Sequence, residues 1–261
     1  MADARPLRSP FVVHTFPDQE LVAVPAHGRT YAASRRVQPE ETTPAGRLRL
    51  DALARYLANV AVADLEDTGL DEPVAWLARR TEVRVAQLPA LGERVELVTF
   101  CSGTGPRWAE RRTSLWGDRG SSVEAASTWV CMDLARGRPA PLSEAFLRHY
   151  EASAEGRRVG ARLHHRDRPD LPGRPFALRS SDLDAYGHVN NAVPWEMVEE
   201  EVARRWGGAA PARAELEYRS PISAASQVEV VGVEAPGELD LWVVDGGETR
   251  VSGRLRPPTG A

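Results

Sequence analysis

A strand, a long helix and then a run of strands occur twice in this chain, and that repeat narrows the available folds more than any single motif. TEVRVAQLPALGERVEL at 81–97 lies over AELEYRSPISAASQVEV at 214–230 without a gap. Glu82 meets Glu215, Val83 meets Leu216, Val85 meets Tyr218, and Val95-Glu96 meets Val228-Glu229. In the first copy GRTYAASRRV at 28–37 reads as a strand. Leu50, Leu53, Tyr56, Leu57, Val60, Ala61 and Leu65 then recur at helical spacing, with Gly69 as a stop. Strands are expected at 81–88, 94–102, 107–116 and 121–133, separated by the turn-forming LPALGE, GTGP and GDRG. The second copy has a strand in FALRS, a helix from about Asn191 to Trp206, and strands near 213–219, 227–234, 238–244 and 249–255. This order predicts an α+β architecture with two antiparallel sheets, each wrapped around its own long central helix. A doubly wound parallel sheet needs a crossover helix between most strands, and this chain has too few.

The repeat sets the expected division into an N-terminal domain at 20–135, a linker at 136–172 rich in arginine, proline and glycine, and a C-terminal domain at 173–258. A short helix is expected inside the linker at 143–152, and its paired His164-His165 is expected to face solvent. The chain has 261 residues, with 37 acidic against 33 basic and a net charge of -4. Its basic residues lie in short runs beside acidic ones, which argues against a nucleic-acid partner. No run of 18 apolar residues occurs, so no membrane span is expected. The acidic, apolar-poor start does not read as a signal peptide, and a cytoplasmic location is expected. Cys101 and Cys131 fall in strand segments and are expected to be free thiols.

The densest polar stretch is SDLDAYGHVNNAVPWEMVEE at 181–200, where strand gives way to helix. A helix N-terminus exposes backbone N–H groups and partial positive charge. Asn190 or Asn191 suits the cap, and Pro194 suits the first turn. Trp195, Val198, Val202 and Trp206 form the apolar stripe, leaving Glu196, Glu199, Glu200 and Glu201 to face water. Gly187 permits a positive φ between Asp184 and His188. A carboxylate there can activate water or attack a carbonyl, and the amides of Gly187, His188 or Val189 can hold an oxyanion. The bland alternative is a turn in which Asp184 and His188 only satisfy backbone groups. No metal site is expected, since there is no HExxH and no cysteine pair at ligand spacing.

RSSDLDAYGHVNNA at 179–192 resembles the signature of acyl-ACP thioesterases and related hot-dog acyl thioesterases. WLARRTEVRVAQLPALGERVEL at 76–97, then RWAERRTSLWGD and AASTWVCMDLARGRPAPL, resemble the N-terminal half of the same family. The resemblance covers about residues 28–256 and implies a double hot-dog. It places the catalytic machinery in the C-terminal domain, with Asp184 as base or nucleophile and His188 as an orienting or stabilising group. Gly187 and Val189 supply candidate oxyanion amides beside Asn190 and Asn191. Tyr186 stands where plant-like members carry asparagine, and it either supplies a hydroxyl or simply packs. Pro221 and Ile222 follow Glu217-Tyr218-Arg219 where the family carries an acidic residue and, in some members, cysteine. Pro194 replaces a usual tyrosine. The plant-type network is therefore incomplete, while the aspartate-to-glycine spacing of simpler hot-dog thioesterases is kept.

What the resemblance implies is hydrolysis of acyl-[acyl-carrier protein] to free fatty acid and carrier, with no cofactor. The N-terminal domain then holds the acyl tail, on Leu53, Leu57, Val60 and Trp76. The expected partner is acyl carrier protein bearing a phosphopantetheine-linked acyl chain, met by a basic patch among Arg111, Arg112, Arg157, Arg158, Arg162 and Arg166. Acyl-CoA is the alternative carrier, and homodimerisation is left open. The competing class is a hot-dog protein that binds an acyl group without hydrolysing it. A hot-dog dehydratase fits less well, because it does not account for DAYGHVNN.

Overall fold

The computed structural model describes residues 21–258, so the start read for a signal sequence lies outside the described residues. The first half contains β1 (Tyr31–Arg36), α1 (Leu50–Asp67), β2 (Val74–Gln87), β3 (Arg94–Thr104), β4 (Trp108–Gly117), β5 (Ser122–Asp133) and the short β6 (Arg138–Pro139). A linking helix α2 (Glu144–Ala154) begins at Ser143, whose hydroxyl accepts from the Phe146 amide at 2.9 Å. The second half contains β7 (Arg174–Phe176), α3 (Val193–Trp206), β8 (Arg213–Tyr218), β9 (Val228–Ala235), β10 (Glu238–Asp245) and β11 (Glu248–Arg256).

All main-path pairings are antiparallel, in the order β1-β3-β4-β5-β2-β8-β11-β10-β9-β7. The two expected sheets are joined edge to edge. β2 pairs with β8, Arg80 opposite Glu217 and Glu82 opposite Glu215, so one continuous sheet spans both halves. Edge-to-edge joining satisfies backbone groups that two isolated sheets would leave unpaired.

The helices lie on one face of this sheet. Leu53, Tyr56, Leu57 and Val60 of α1 join Trp195, Met197, Val198 and Val202 of α3 in one core with Leu97, Leu115, Leu216, Leu241 and Leu255. The tryptophans reach the sheet as the helical spacing predicts: Trp195 Nε1 donates to the Tyr218 hydroxyl at 3.0 Å and Trp206 Nε1 to Glu234 at 3.1 Å. α3 ends at Gly207, whose φ of 59° forms a left-handed cap.

The glutamate run does not simply face water. Glu200 is exposed, but Glu199 and Glu201 are buried, and Glu196 is half-buried between Arg55 and Arg179. Helical spacing alone cannot find this, because the neutralising arginines come from elsewhere in the chain. Glu201 takes Arg174 at 2.6 Å, Arg204 at 2.9 Å and Arg205 at 3.0 Å. Burial opposes its ionisation, but these three hydrogen-bonded arginines outweigh burial and hold the carboxyl below its ordinary range. Because the folded pKa is depressed, the stabilisation is present at neutral pH and is lost as pH falls through the folded value. Since the arginines are partly exposed, Glu201→Gln should cost about 1–2 kcal/mol in urea unfolding at pH 7. The difference from wild type should shrink as pH falls below the ordinary glutamate range; a pH-independent difference would mean that packing, not charge, is what the glutamate supplies.

The linker's His164-His165 pair is also corrected. His165 is 8% exposed, and both histidines lie against Glu215 and Glu217 on the outer face of β8. The linker continues over that face, with the Arg166 carbonyl accepting from Trp242 Nε1 at 3.2 Å. Cys101 and Cys131 are free and buried, and burial pushes the Cys101 thiol up to about 11. No helix among the described residues is long and apolar enough to cross a membrane.

Candidate active site

The stretch from 179 to 193 folds as a one-turn 3-10 helix, Ser180–Asp182, then a tight loop closed by a Leu183–Val189 bridge. The Asp184 amide donates to the His188 carbonyl at 2.8 Å, and the Gly187 amide to the Asp184 carbonyl at 3.0 Å. Gly187 has φ 77°, the left-handed conformation that its lack of a Cβ allows. The Asp184 Oδ1 accepts from the amides of Tyr186 at 2.9 Å and His188 at 3.1 Å. Its Oδ2 has no hydrogen-bond partner among the described residues, and neither has the exposed His188 ring.

Two readings of this loop change. The Gly187 amide is spent inside the loop and the Val189 amide donates to the Ile222 carbonyl at 2.9 Å, so neither is free for an oxyanion. The cap assignment shifts as well. Asn190 Oδ1 accepts from the Ala192 amide at 2.9 Å, closing the turn before α3, while the helix N-cap is Ala192. At the entry to α3 the Asn191 amide donates to no described group. Its carbonyl accepts from the Tyr218 hydroxyl at 2.9 Å. Tyr218 thus ties the start of α3 to β8, a positioning role that sequence inspection missed. Tyr186 is 72% exposed, and its hydroxyl meets no described partner.

The first half builds the same loop. A 3-10 turn, Pro39–Glu41, precedes a Thr42–Leu48 bridge. The Thr43 amide donates to the Arg47 carbonyl at 2.8 Å, Gly46 to Thr43 at 2.8 Å, Leu48 to Pro89 at 2.7 Å and Arg49 to Glu41 at 2.9 Å. Every one of these bonds has its counterpart in the second half, and Gly46 has φ 82°. Arg47 bridges to Ala90 as His188 bridges to Ser223, in the register of the gapless sequence match. Thr43 therefore stands where Asp184 stands, Arg47 where His188 stands, and Leu50 where Asn191 stands. Thr43 cannot act as a carboxylate base, and its hydroxyl is buried without a partner.

What occupies the first loop is informative. Glu199, from α3 of the other half, accepts from the Leu50 amide at 3.0 Å and from Arg47 at 2.5 and 3.1 Å. Arg55 and Glu196 hold equivalent positions in α1 and α3 and meet at 2.9 Å, so they straddle a local pseudo-twofold axis. The exposure pattern agrees, with Asn59 and Val62 exposed where Glu200 and Ala203 are. Across that axis, the counterpart of Glu199 facing Asn191 is Ala58. The first loop is plugged by a carboxylate, and by the pseudo-twofold the plug's place in the second falls to Ala58, which carries no carboxylate.

Leu53, Leu57 and Val60 are buried to 1%, 6% and 4% exposure in the main core. Trp76 is not with them. It packs on Phe146 at a centroid distance of 5.0 Å, in a separate cluster with Tyr150 of α2. The expected basic patch is also broken up. Arg112 is buried and paired with Glu124, Arg111 binds Asp64 at 2.5 Å, Arg157 pairs with Glu155, and Arg166 pairs with Asp240.

The acyl-ACP thioesterase N-terminal domain family matches residues 28–150 and the acyl-ACP thioesterase C-terminal domain family matches residues 170–245. Two uncharacterized Mycobacterium tuberculosis proteins, from strains CDC 1551 and H37Rv, are each 29% identical over 242 residues, covering 92% of this chain and 96% of theirs. In fold, the chain is similar to an acyl-ACP thioesterase from Bacteroides thetaiotaomicron, with TM-score 0.74 at 17% identity, covering 87% of this chain and 97% of that one. It is equally similar to the 12:0-ACP thioesterase from Umbellularia californica, with TM-score 0.74 at 19% identity, covering 90% and 100%.

Proposed function

Since the chain belongs to the acyl-ACP thioesterase family and has the tandem hot-dog fold, we propose that it hydrolyses an acyl thioester carried by acyl carrier protein at the Asp184 loop. The observation that carries this reading is the Glu199 plug. In the first half a carboxylate is held jointly by a helix-start amide and the cation at the His188-equivalent position. With Ala58 in place of the plug, the second half offers the same seat to a substrate's carbonyl oxygen.

The chemistry then follows from the loop. The free Oδ2 of Asp184 takes a proton from water as the water oxygen adds to the thioester carbonyl carbon. The oxyanion that forms accepts from the Asn191 amide and from the His188 ring. Collapse breaks the carbon–sulfur bond, the thiolate leaves and takes up the proton, and the products are a carboxylic acid and the carrier thiol. Asp184 Oδ1 is already fixed by two amides, so the carboxylate is oriented before substrate arrives. Tyr186 has no part in these steps. An acyl tail on Leu53, Leu57 and Val60 requires the packed helices to part, which makes chain length a property of how far they open.

Carrier preference rests on both halves matching acyl-ACP thioesterase domains. The test is single-turnover hydrolysis of matched acyl-ACP and acyl-CoA over a range of chain lengths. Faster turnover of acyl-ACP is expected. Equal rates on both carriers would overturn the carrier assignment, and no hydrolysis of either would leave a non-catalytic acyl binder.

A further inference from the structure

On the outer face of the sheet, away from the helices, β8 turns Glu215 and Glu217 outward while Ala214 and Leu216 enter the core. The linker crosses over them at His164-His165. One ligand atom from each of these four side chains lies within 4.8 Å of the others, and three of the four residues are buried. We infer that His164, His165, Glu215 and Glu217 form a binding site for one divalent transition-metal ion, with Zn²⁺ the best fit.

The donor chemistry is that of a zinc site: two imidazoles and two carboxylates. Both rings lie close against both carboxylates. His164 Nε2 and His165 Nε2 lie 2.8 and 3.0 Å from Glu215 Oε1, while His164 Nδ1 is 3.3 Å from Glu217 Oε1 and His165 Nδ1 is 3.8 Å from Glu217 Oε2. One imidazole gives one nitrogen to one ion, and ligands at ~2.0–2.1 Å around tetrahedral zinc are separated by about 3.3 Å, so the four donors, now within 4.8 Å of one another, draw closer around it. The surroundings supply orienting contacts of the kind that metal ligands use. Ser252 Oγ lies 3.1 Å from His165 Nδ1, and Glu217 accepts from the backbone amides of His164 at 2.6 Å and His165 at 3.1 Å.

Charge is compatible with a cation at this place. Glu215 and Glu217 are 2% and 0% exposed, a costly place for two carboxylates unless cations compensate them. The Arg219 guanidinium stands 3.9 Å from Glu217, longer than a hydrogen bond, and its nearer contact is the His165 carbonyl at 3.1 Å. One divalent ion with two neutral imidazoles balances both carboxylates. Two imidazolium protons would do the same arithmetic, so the test must separate metal from protons. In either case the linker is fastened to β8 one residue from Tyr218, the anchor of Asn191.

The experiment uses the full untagged chain, stripped with chelator and titrated with Zn²⁺ by calorimetry and with Co²⁺ by visible absorption. One Zn²⁺ per chain is expected, with cobalt bands of tetrahedral intensity and a higher Tm in the metal-loaded protein. His164→Ala, at the partly exposed corner, should weaken Zn²⁺ at least ~10-fold while the protein still folds. Glu215→Gln should do the same and abolish the cobalt spectrum. Absence of Zn²⁺ and Co²⁺ binding in the folded wild type would overturn the site and leave a proton-bridged cluster. Binding that survives both substitutions would overturn it too, placing the metal elsewhere.

Discussion

Asp184→Asn should fold like the wild type and lose roughly 10²- to 10⁴-fold in the single-turnover rate of thioester hydrolysis. The substitution separates the two duties of the side chain. Asparagine keeps an oxygen for the Tyr186 and His188 amides, so the loop closed around Gly187 is retained. It removes the carboxylate oxygen to which the proposed mechanism assigns the proton from water. Circular dichroism and urea unfolding establish the fold, and the acyl-ACP rate is then compared at equal occupancy. A folded variant as fast as wild type would take Asp184 out of the chemistry.

Ala58→Glu should silence the enzyme by rebuilding in the second half the plug that Glu199 makes in the first. If the pseudo-twofold holds at this point, a carboxylate at position 58 meets the Asn191 amide as Glu199 meets that of Leu50. It takes up the proposed oxyanion donor and the seat proposed for the carbonyl, so a loss of about 10²-fold or more is expected, the scale of deleting one such donor. Ala58→Ser changes size little and should stay near wild type. Measuring both rates alongside acyl-ACP affinity separates a blocked site from a damaged fold. Full activity in a folded Ala58→Glu protein would mean that the two halves are not equivalent there, and the seat assigned to the carbonyl would fall with it.

The duplication was legible because strand alternation survives in the letters of 81–97 and 214–230, and the Arg47–Ala90 and His188–Ser223 bridges obey that register. Helix placement followed from apolar spacing and from Pro194. Joining of the two sheets was not legible, since edge pairing of β2 with β8 leaves no periodic signal in either strand. Helical spacing sent Glu199 and Glu201 to solvent because it knows nothing of arginines elsewhere in the chain. The same limit hid the histidine pair: a polar linker reads as exposed until a strand supplies Glu215 and Glu217 beneath it. Loop chemistry misled at Gly187 and Val189, whose amides are consumed by the turn that the glycine makes possible. Setting GRLRL beside GHVNN is the comparison that could have exposed Thr43 and Arg47 as the altered twins of Asp184 and His188.

The β2–β8 seam also bears on how the chain is made. Synthesis runs from the N-terminus, and β2 emerges long before β8. Until then the nascent first half carries an open sheet edge, an uncapped Leu50 amide and an Arg47 without its carboxylate partner. Domains generally fold as units during synthesis, but this one reaches its native contacts only when its sister arrives. During synthesis the first half thus waits as an unfinished template, which the later half completes.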